Sequence, residues 1–503
     1  VSIAKSRAPV VIAVMVATIM EVLDMTIINI SLPNMAGQLG ATPGQMSWAL
    51  TSYIVAAAIA MPMTGYFSDI LGRKRYLMIS MMGFIASSLL CGIAASLSQM
   101  VIFRLLQGLS GAALVPMSQA VMIDLYPPKE RGKAMAIWAM GIMIAPIMGP
   151  VIGGWLTDNL SWRWSFFINL PVGLLALWLA GRYMEETSIK LRKMDWFGLC
   201  ALLLAVGAFQ YVLDKGNEED WLESSIIRWM VVISSLGFSW LVTHIIKKKL
   251  HPIFNPGMFK DRNFVLSATA QVAVGMALFG SITLQPLYFE QVLGYTTTVA
   301  GLYMIPRGIA SMLSMVIVSQ LVGKVDARLL IAFGALAGSL GSWGMTLYPL
   351  EASSFSLIWP TLFQGFGMGF IFIPLNGIAY ATLPKHLMTE ATGVYNLIRT
   401  LGNAVGISVV ILLYTRSMQQ SWNHLIEHVT PYGNAIDQYL APLHLNKDTP
   451  GAIGLVAQQV AHQSQALAML DALHGTLISF ILVFPFLFLL KTPRFAVSIP
   501  DAH

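Results

Sequence analysis

Fourteen apolar runs follow one another along the chain, most of them separated by short polar breaks. They cover residues 10–33, 45–67, 76–96, 100–126, 134–157, 163–183, 196–214, 225–247, 264–290, 297–323, 328–350, 355–382, 390–416 and 470–490. The hydrocarbon core of a bilayer takes about 20 apolar residues of helix, so each run reads as one transmembrane helix. The breaks between the third and fourth and between the fifth and sixth runs are tight, and the count rests on splitting the chain there. One break differs from the rest. Residues 417–469, from SMQQSWNHLIEH to AQQVAHQSQAL, form a long polar segment, and connections of that length are usually functional or disordered.

The basic residues test the count. With the N-terminus in the cytoplasm, 22 of the 30 lysines and arginines fall on cytoplasmic segments. Five lie on the opposite face (Arg163, Lys215, Arg228, Arg416 and Lys447), and Arg104, Arg307 and Arg399 lie inside spans. Positive charge concentrated on alternate loops is what the positive-inside rule requires, and a wrong count would scramble it. Both termini are therefore expected in the cytoplasm. Lys5 and Arg7 before an apolar run imitate a secretory signal, but that run is long, carries acids at its centre and lacks a small-residue cleavage site. It reads as a retained first span.

Composition agrees. The chain is 56% hydrophobic and 11% charged, against about 25% charged in soluble domains, so the fold class expected is an all-α membrane protein. Cys91 and Cys200 both lie in apolar runs, which leaves no disulfide framework or metal cluster to propose. No cofactor, metal or nucleic-acid partner is expected.

The chain also resembles itself. FRLLQGLSGAALVP (Phe103–Pro116) is echoed by PTLFQGFGMGFIFIP (Pro360–Pro374), and GYFSDILGRKR more faintly by LVGKVDARLL. Parallel six-span repeats are a transporter architecture, with the substrate site near the midplane between the halves. The expected organisation is a six-helix bundle over 1–183, an inserted helix pair over 184–262, and a second six-helix bundle over 263–503 that carries the outer segment 417–469. Glycine pairs at helical spacing (Gly149 and Gly153, Gly365 and Gly369, Gly402 and Gly406) suit close helix packing.

The stretch MEVLDMTIINISLP places Glu21 and Asp24 one turn apart in the first span. A carboxylate in hydrocarbon costs roughly 2.5–3.5 kcal/mol on insertion scales, so two of them need a reason. Burial favours the neutral form of a carboxylic acid, which suits a group that takes a proton on one side and releases it on the other. Asp24 is the candidate carrier, with Glu21 titrating as its coupled neighbour. The alternative is a structural ion pair between Asp24 and Arg104, and the two roles are compatible if protonation breaks the pair. Arg307 and Arg399 are either functional or snorkelling. Glu290 reads as a solvated span end or as an extra acid near the path.

Four ordered motifs resemble the major facilitator superfamily in its fourteen-span drug:proton antiporter branch. LDMTIINISLP matches through Asp24, Thr26, Asn29, Leu32 and Pro33, and GYFSDILGRKR through Gly65, Asp69, Gly72, Arg73 and Lys74. RLLQGLSGA matches through Arg104, Gln107, Gly108 and Gly111, and APIMGPVIGGWL through Gly149, Pro150, Gly153 and Gly154. GYTTTVAGLYMIPRG and RTLGNAVG also look like that branch. Glu21 precedes the first motif, and Glu290 stands where a neutral glutamine is more usual. The resemblance implies a proton-coupled multidrug exporter of the bacterial inner membrane that works by alternating access. In it Arg104 modulates Asp24, Asp69, Arg73 and Lys74 latch the outward-open state, and the Gly149–Gly154 motif prevents leakage. Candidate cavity residues are Asn29, Gln107, Gln364, Asn396, Arg399 and Glu290. The substrates implied are hydrophobic or amphipathic small molecules, for which thirty methionines and 52 aromatics offer adaptable linings. The long outer segment, with Trp422, Tyr432 and Tyr439, further resembles exporters of Gram-negative tripartite pumps. That implies a periplasmic adaptor and an outer-membrane channel as partners.

Rival readings are weaker. HLIEH (His424–His428) fits a metalloprotease pattern, yet no glutamate follows Glu427 to complete a zinc site. A membrane enzyme needs a nucleophile–base set, and none is evident, so no catalytic residue is assigned. A dedicated exporter of one metabolite, such as a siderophore or fatty acid, shares most of the motifs.

Overall fold

The computed structural model describes residues 7–46, 48–127, 130–187, 189, 194–247, 253–349, 353–427, 429, 434–443, 445 and 451–490. Its described residues are helical throughout, apart from turns, short connections and a single bridge between Val322 and Val325. In hydrocarbon a backbone must satisfy its own hydrogen bonds, and the helix does so within one segment.

Fourteen helices occupy the fourteen apolar runs. In the first half these are α1 (Arg7–Gln38), α2 (Trp48–Leu71), α3 (Arg73–Gly92), α4 (Leu97–Leu125), α5 (Arg131–Asn159) and α6 (Trp164–Tyr183). The inserted pair is α7 (Trp196–Lys215) and α8 (Ser225–Lys247). The second half holds α9 (Arg262–Val292), α10 (Thr297–Leu321), α11 (Ala327–Met345), α12 (Ser354–Ala381), α13 (Met388–Glu427) and α14 (Ala452–Leu489). Thirteen are long and apolar enough to cross a bilayer. The exception is α11, whose 19 residues begin with Arg328 near the N-terminus and include four glycines. It holds in the second half the place of α3 in the first.

Prolines mark the irregular points. A 3₁₀ turn, Met61–Met63, interrupts α2 around Pro62. The two parts of α4, Leu97–Gly111 and Leu114–Leu125, meet just before Pro116, which has no N–H for the helical ladder. Two residues after Pro286, α9 ends in a π-turn, Tyr288–Val292.

The packing repeats. In the first half α1 lies on α5 and α6, α4 on α2 and α3, and α3 on α6. In the second half α9 lies on α13 and α14, α12 on α10 and α11, and α11 on α14. The halves meet along a seam where α5 faces α10 and α12, while α13 faces α2 and α4. Helix α7 rests on α2 of one half and α13 of the other. Ser408 Oγ donates to the Leu213 carbonyl at 2.8 Å, and Asn217 donates to the Ser408 carbonyl at 3.2 Å.

The polar segment 417–469 is not the extended loop that its composition suggests. Helix α13 runs on through 417–427, and α14 begins at Ala452. Met, Gln, Leu and Ala dominate these stretches and are good helix formers, so polarity moved the chain out of the membrane without breaking the helix. At 1.5 Å per residue the 40 residues of α13 span about 60 Å, roughly twice a hydrocarbon core. Between the two extensions lie a short helix, Asn434–Leu440, and a 3₁₀ turn, Ala441–Leu443. Leu440, Ala452 and Val456 are buried there, with Val429, Ile436 and Tyr439 packed around them. Tyr439 therefore contributes to the headpiece's own small core, and Tyr432 lies outside the described residues.

Candidate functional site

Asp24 and Arg104 face each other inside the first half, both fully enclosed. Arg104 Nη1 donates to Asp24 Oδ2 at 2.6 Å. Gln107 and Asn169 donate to Asp24 Oδ1 at 3.0 and 2.7 Å. Arg104 also donates to Gln107 Oε1 at 2.7 Å and to the Ala49 carbonyl at 3.2 Å, and it stacks 4.1 Å from the Tyr53 ring centroid. Four helices, α1, α2, α4 and α6, thus meet around one buried ion pair, and spacing within α4 explains part of it. Arg104 and Gln107 are three residues apart, so they share a helix face. Gln107, a candidate cavity residue, lies in this node and contacts Asp24 directly.

Glu21 has different neighbours. The Tyr53 hydroxyl donates to its Oε1 at 3.4 Å, while Oε2 is buried without a hydrogen-bond partner. The Arg399 guanidinium on α13 acts on it electrostatically from across the seam. Arg399 lies 5.8 Å from the Trp138 ring centroid, and its Nη1 is also buried and unpartnered. One turn away, Asn396 donates to Gln119 Oε1 on α4 at 2.8 Å, again across the seam, and its own Oδ1 has no partner. Gln119 donates to Asn376 on α12 at 3.1 Å and accepts from Tyr380 at 3.4 Å. Trp138 stacks on Phe372 at 6.2 Å. The seam therefore carries an acid, a guanidinium, amides and aromatic faces contributed by both halves. Such a mixture offers apolar surface together with a few orienting polar groups.

The second half repeats the inner node without its charges. Gln364 accepts from Ser281 at 3.1 Å and donates to Ser342 at 3.0 Å. In the first half Gln107 bonds Asp24 and, at 3.6 Å, accepts from Cys91. Ser281 thus stands where Asp24 stands, and Ser342 where Cys91 stands. The following glycines confirm the register: a Cβ on Gly108 would collide with the Tyr53 carbonyl, and one on Gly365 with the Arg307 carbonyl.

At the end of the bundle that bears Arg73, the halves are closed on one another. Arg73 pairs with Asp124 at the end of α4 and donates to Thr389 Oγ1 on α13 at 2.9 Å. Gly65 lies against Glu390, where an added Cβ would come within 3.2 Å of the Glu390 Cα. Glu390 in turn accepts from the Asn255 backbone N–H at 2.8 Å. Gly72 adopts φ +80, a left-handed conformation that favours glycine. Lys74 borders a small surface pocket with Arg75, Glu186 and Thr187. Every residue from Met388 to Leu397 is buried, whereas half-exposed positions recur from Ile398 onward.

In the Gly149–Gly154 stretch a Cβ on Gly149 would collide with Thr26, and one on Gly153 would lie 3.1 Å from Ile27 atoms. A Cβ on Gly154 would meet no atom of the described residues within 4 Å, so this glycine takes no part in that close approach. The side chains of Asn29 and Pro150 lie outside the described residues. Glu290 lies half-exposed in the π-turn that ends α9. His424 and Glu427 lie on the extension of α13, and His428 lies outside the described residues.

Sequence reasoning missed Asn169, Tyr53, Asp124, Gln119 and Thr389. Asp124 had a signal, an isolated acid at the end of an apolar run (VMIDLYPP) beside a basic loop. The uncharged four had none.

The family model described as Major Facilitator Superfamily matches residues 14–407. The chain is 33% identical over 480 residues to the fatty acid resistance protein FarB of Neisseria gonorrhoeae, covering 95% of this chain and 94% of FarB. It is 33% identical over 456 residues to the multidrug export protein EmrB of Escherichia coli K12, covering 90% of this chain and 89% of that protein. Its fold resembles that of the human organic anion transporter MFSD10, with TM-score 0.61 and 14% identity over 95% of this chain and 99% of that one. It also resembles the proton:xylose symporter XylE, with TM-score 0.58 and 14% identity over 95% and 96% of the two chains.

Proposed function

Because this chain belongs to the Major Facilitator Superfamily of membrane transporters, we propose that it is a proton-coupled exporter of amphipathic small molecules, a multidrug efflux pump of the bacterial inner membrane and not an enzyme. One observation carries the reading. Asp24 is held by three donors within the first half, one turn from Glu21, whose Oε2 has no hydrogen-bond partner and on which the Arg399 charge acts from across the seam. A proton arriving on this acid pair neutralises charge that Arg104 and Arg399 otherwise hold, and it weakens contacts on both sides of the seam. A cationic or polar group of a substrate can take up the orphaned atoms of Glu21, Asn396 and Arg399. Proton and substrate then compete for one region, which is the requirement for antiport.

Placing the basic loops inside makes the closed end cytoplasmic and the conformation outward-facing. The headpiece formed by the extensions of α13 and α14 then projects into the periplasm. Its size supports docking of a periplasmic adaptor that leads to an outer-membrane channel.

A second reading, a dedicated fatty-acid exporter, is favoured by the likeness to FarB. Inverted membrane vesicles separate the two. We expect ATP-independent uptake, driven by an imposed proton gradient, of several unrelated dyes. Uptake of long-chain fatty acids alone supports the dedicated exporter. Asp24→Asn should abolish concentrative uptake in protein that still unfolds cooperatively, though at a lower temperature because Arg104 loses its counter-charge, and uphill transport by that variant would overturn the carrier role.

A further inference from the structure

The inserted pair plays no part in the acid site, yet α7 touches both halves. Its place is set by how α2 and α13 approach one another. At the closed end they meet directly. A Cβ on Gly393 would come within 2.6 Å of the Met61 carbonyl oxygen, and Thr400 donates to Met61 Sδ at 3.8 Å. Further out each meets α7. Ser408 lies fifteen residues beyond Gly393, about 22 Å along the helix, and its Oγ donates to the Leu213 carbonyl at 2.8 Å. On α2, Trp48 lies thirteen residues outward of Met61. Its ring is 6.0 Å from that of Tyr211 and 5.5 Å from Lys215 Nζ. Two helices that touch at one end and both rest on a third at the other form a V, and α7 fills its mouth.

The two grips differ in kind. On α2 the contact extends from Gly207, where a Cβ would lie 3.9 Å from Val55, to Lys215, about two turns of α7. On α13 it centres on one residue, because Asn217 Nδ2 donates to the carbonyl of the same Ser408 at 3.2 Å. The turn after α7 presents that asparagine. Asp220 and Trp221 adopt φ 50 and 55, a left-handed conformation that is uncommon without glycine and that tends to mark functional sites. In this turn Trp221 Nε1 donates to Asn217 Oδ1 at 3.2 Å, which leaves the amide nitrogen for Ser408.

We propose that α7 is a releasable wedge. It stays with the first half through α2 and grips α13 at Ser408 while the molecule is open outward. It lets go when rocking of the halves brings the outer ends of α2 and α13 together. The grip therefore stabilises the outward-facing arrangement. The inference rests on the transporter reading and on nothing about what is carried.

The test joins α7 to one half or the other in full-length protein with Cys91 and Cys200 replaced by serine. Asn217→Cys with Ser408→Cys ties it to α13, and Trp48→Cys with Tyr211→Cys ties it to α2. A short, membrane-permeant bis-methanethiosulfonate reagent bridges each pair and dithiothreitol reverses it. Uptake into inverted vesicles is measured before bridging, after it and after reduction. The bridge to α13 should lower uphill uptake about tenfold or more, because it blocks a conformational step of the cycle, and reduction should restore it. The bridge to α2 should leave uptake nearly unchanged. Uptake that survives the bridge to α13 overturns the proposal. Arrest by the bridge to α2 does so too, since α7 would then slide on the first half as well. Loss of uptake before any bridging counts against the transporter reading, and labelling then tests the wedge by itself. Val394, 3% exposed at the closed end, is about 20 Å along α13 from Ser408, beyond the reach of local loosening there. Ser408→Ala with Asn217→Ala should speed the reaction of Val394→Cys with a permeant maleimide roughly 5-fold or more. Trp48→Leu, which weakens a contact kept in both arrangements, should not. Equal rates in all three proteins overturn the wedge, as does acceleration by Trp48→Leu.

Discussion

Asp24 and Arg104 are enclosed together and share Gln107 as a partner of both, so neither can be judged alone. Removing one member of a buried pair leaves an uncompensated charge, which typically costs ~3–5 kcal/mol, whereas neutralising both costs far less. Arg104→Ala should therefore lower thermal stability sharply. Adding Asp24→Asn to Arg104→Ala should recover most of that loss without restoring uphill transport. Unfolding curves and vesicle uptake on the same preparations check this, and a double variant as unstable as Arg104→Ala would mean the site is held by packing and not by charge. The pair was legible in the sequence because two charges in apolar runs have few other uses. Asn169 was not, since an isolated amide in LSWRWSFFINLP reads as a span end. Only the folded chain brings it within 2.7 Å of Asp24.

The apolar runs were legible as helices nearly to their ends, because hydropathy is the signal that decides insertion. It misleads where a helix leaves the membrane. In α13 and α14 polarity rises without any proline or αL break until after Glu427, so the boundary of the membrane is not the boundary of the helix. Of the two extensions, that of α14 is anchored on the core, where His462 and Gln465 reach Val292 and Gln291 at the end of α9. The part between them is therefore separable from the transport core. Replacing residues 428–451 with an eight-residue Gly/Ser linker, whose reach of about 15 Å suffices for neighbouring helix ends, should leave proton-driven uptake in inverted vesicles intact. Co-purification with a periplasmic adaptor and drug resistance of whole cells should both be lost. Transport lost with adaptor binding retained would place this segment in the translocation path.

At the scale of the whole molecule, two halves with the same helix packing carry unequal chemistry, and the seam between them is held at one end. Repeat architecture was readable from the Gln-Gly echo at 107–108 and 364–365. The closing contacts were not, because the loop motif finds its partners on other helices. Arg73 joins Asp124 of its own half to Thr389 of the other, a link that a rocking motion must break. A hydrogen bond to a charged group is worth about 1.5–3 kcal/mol. If it exists only in the closed arrangement, its loss shifts the opening equilibrium by roughly 10–100-fold. Val394 on α13 is 3% exposed within that closed end and reports on it. In a background with Cys91 and Cys200 replaced by serine, Val394→Cys should react slowly with a membrane-permeant maleimide. Arg73→Ala should accelerate that labelling at least several-fold, and Thr389→Val by a comparable factor, because Thr389 Oγ1 is the arm that crosses the seam while Asp124 lies in the same half as Arg73. Arg73→Lys should restore protection only in part, since an ammonium lacks the planar fork that serves two acceptors at once. Equal labelling rates across the series, in protein that still unfolds cooperatively, would show that the halves are held closed by the close packing of Gly65 on Glu390 and of Gly393 on the Met61 carbonyl and not by the arginine.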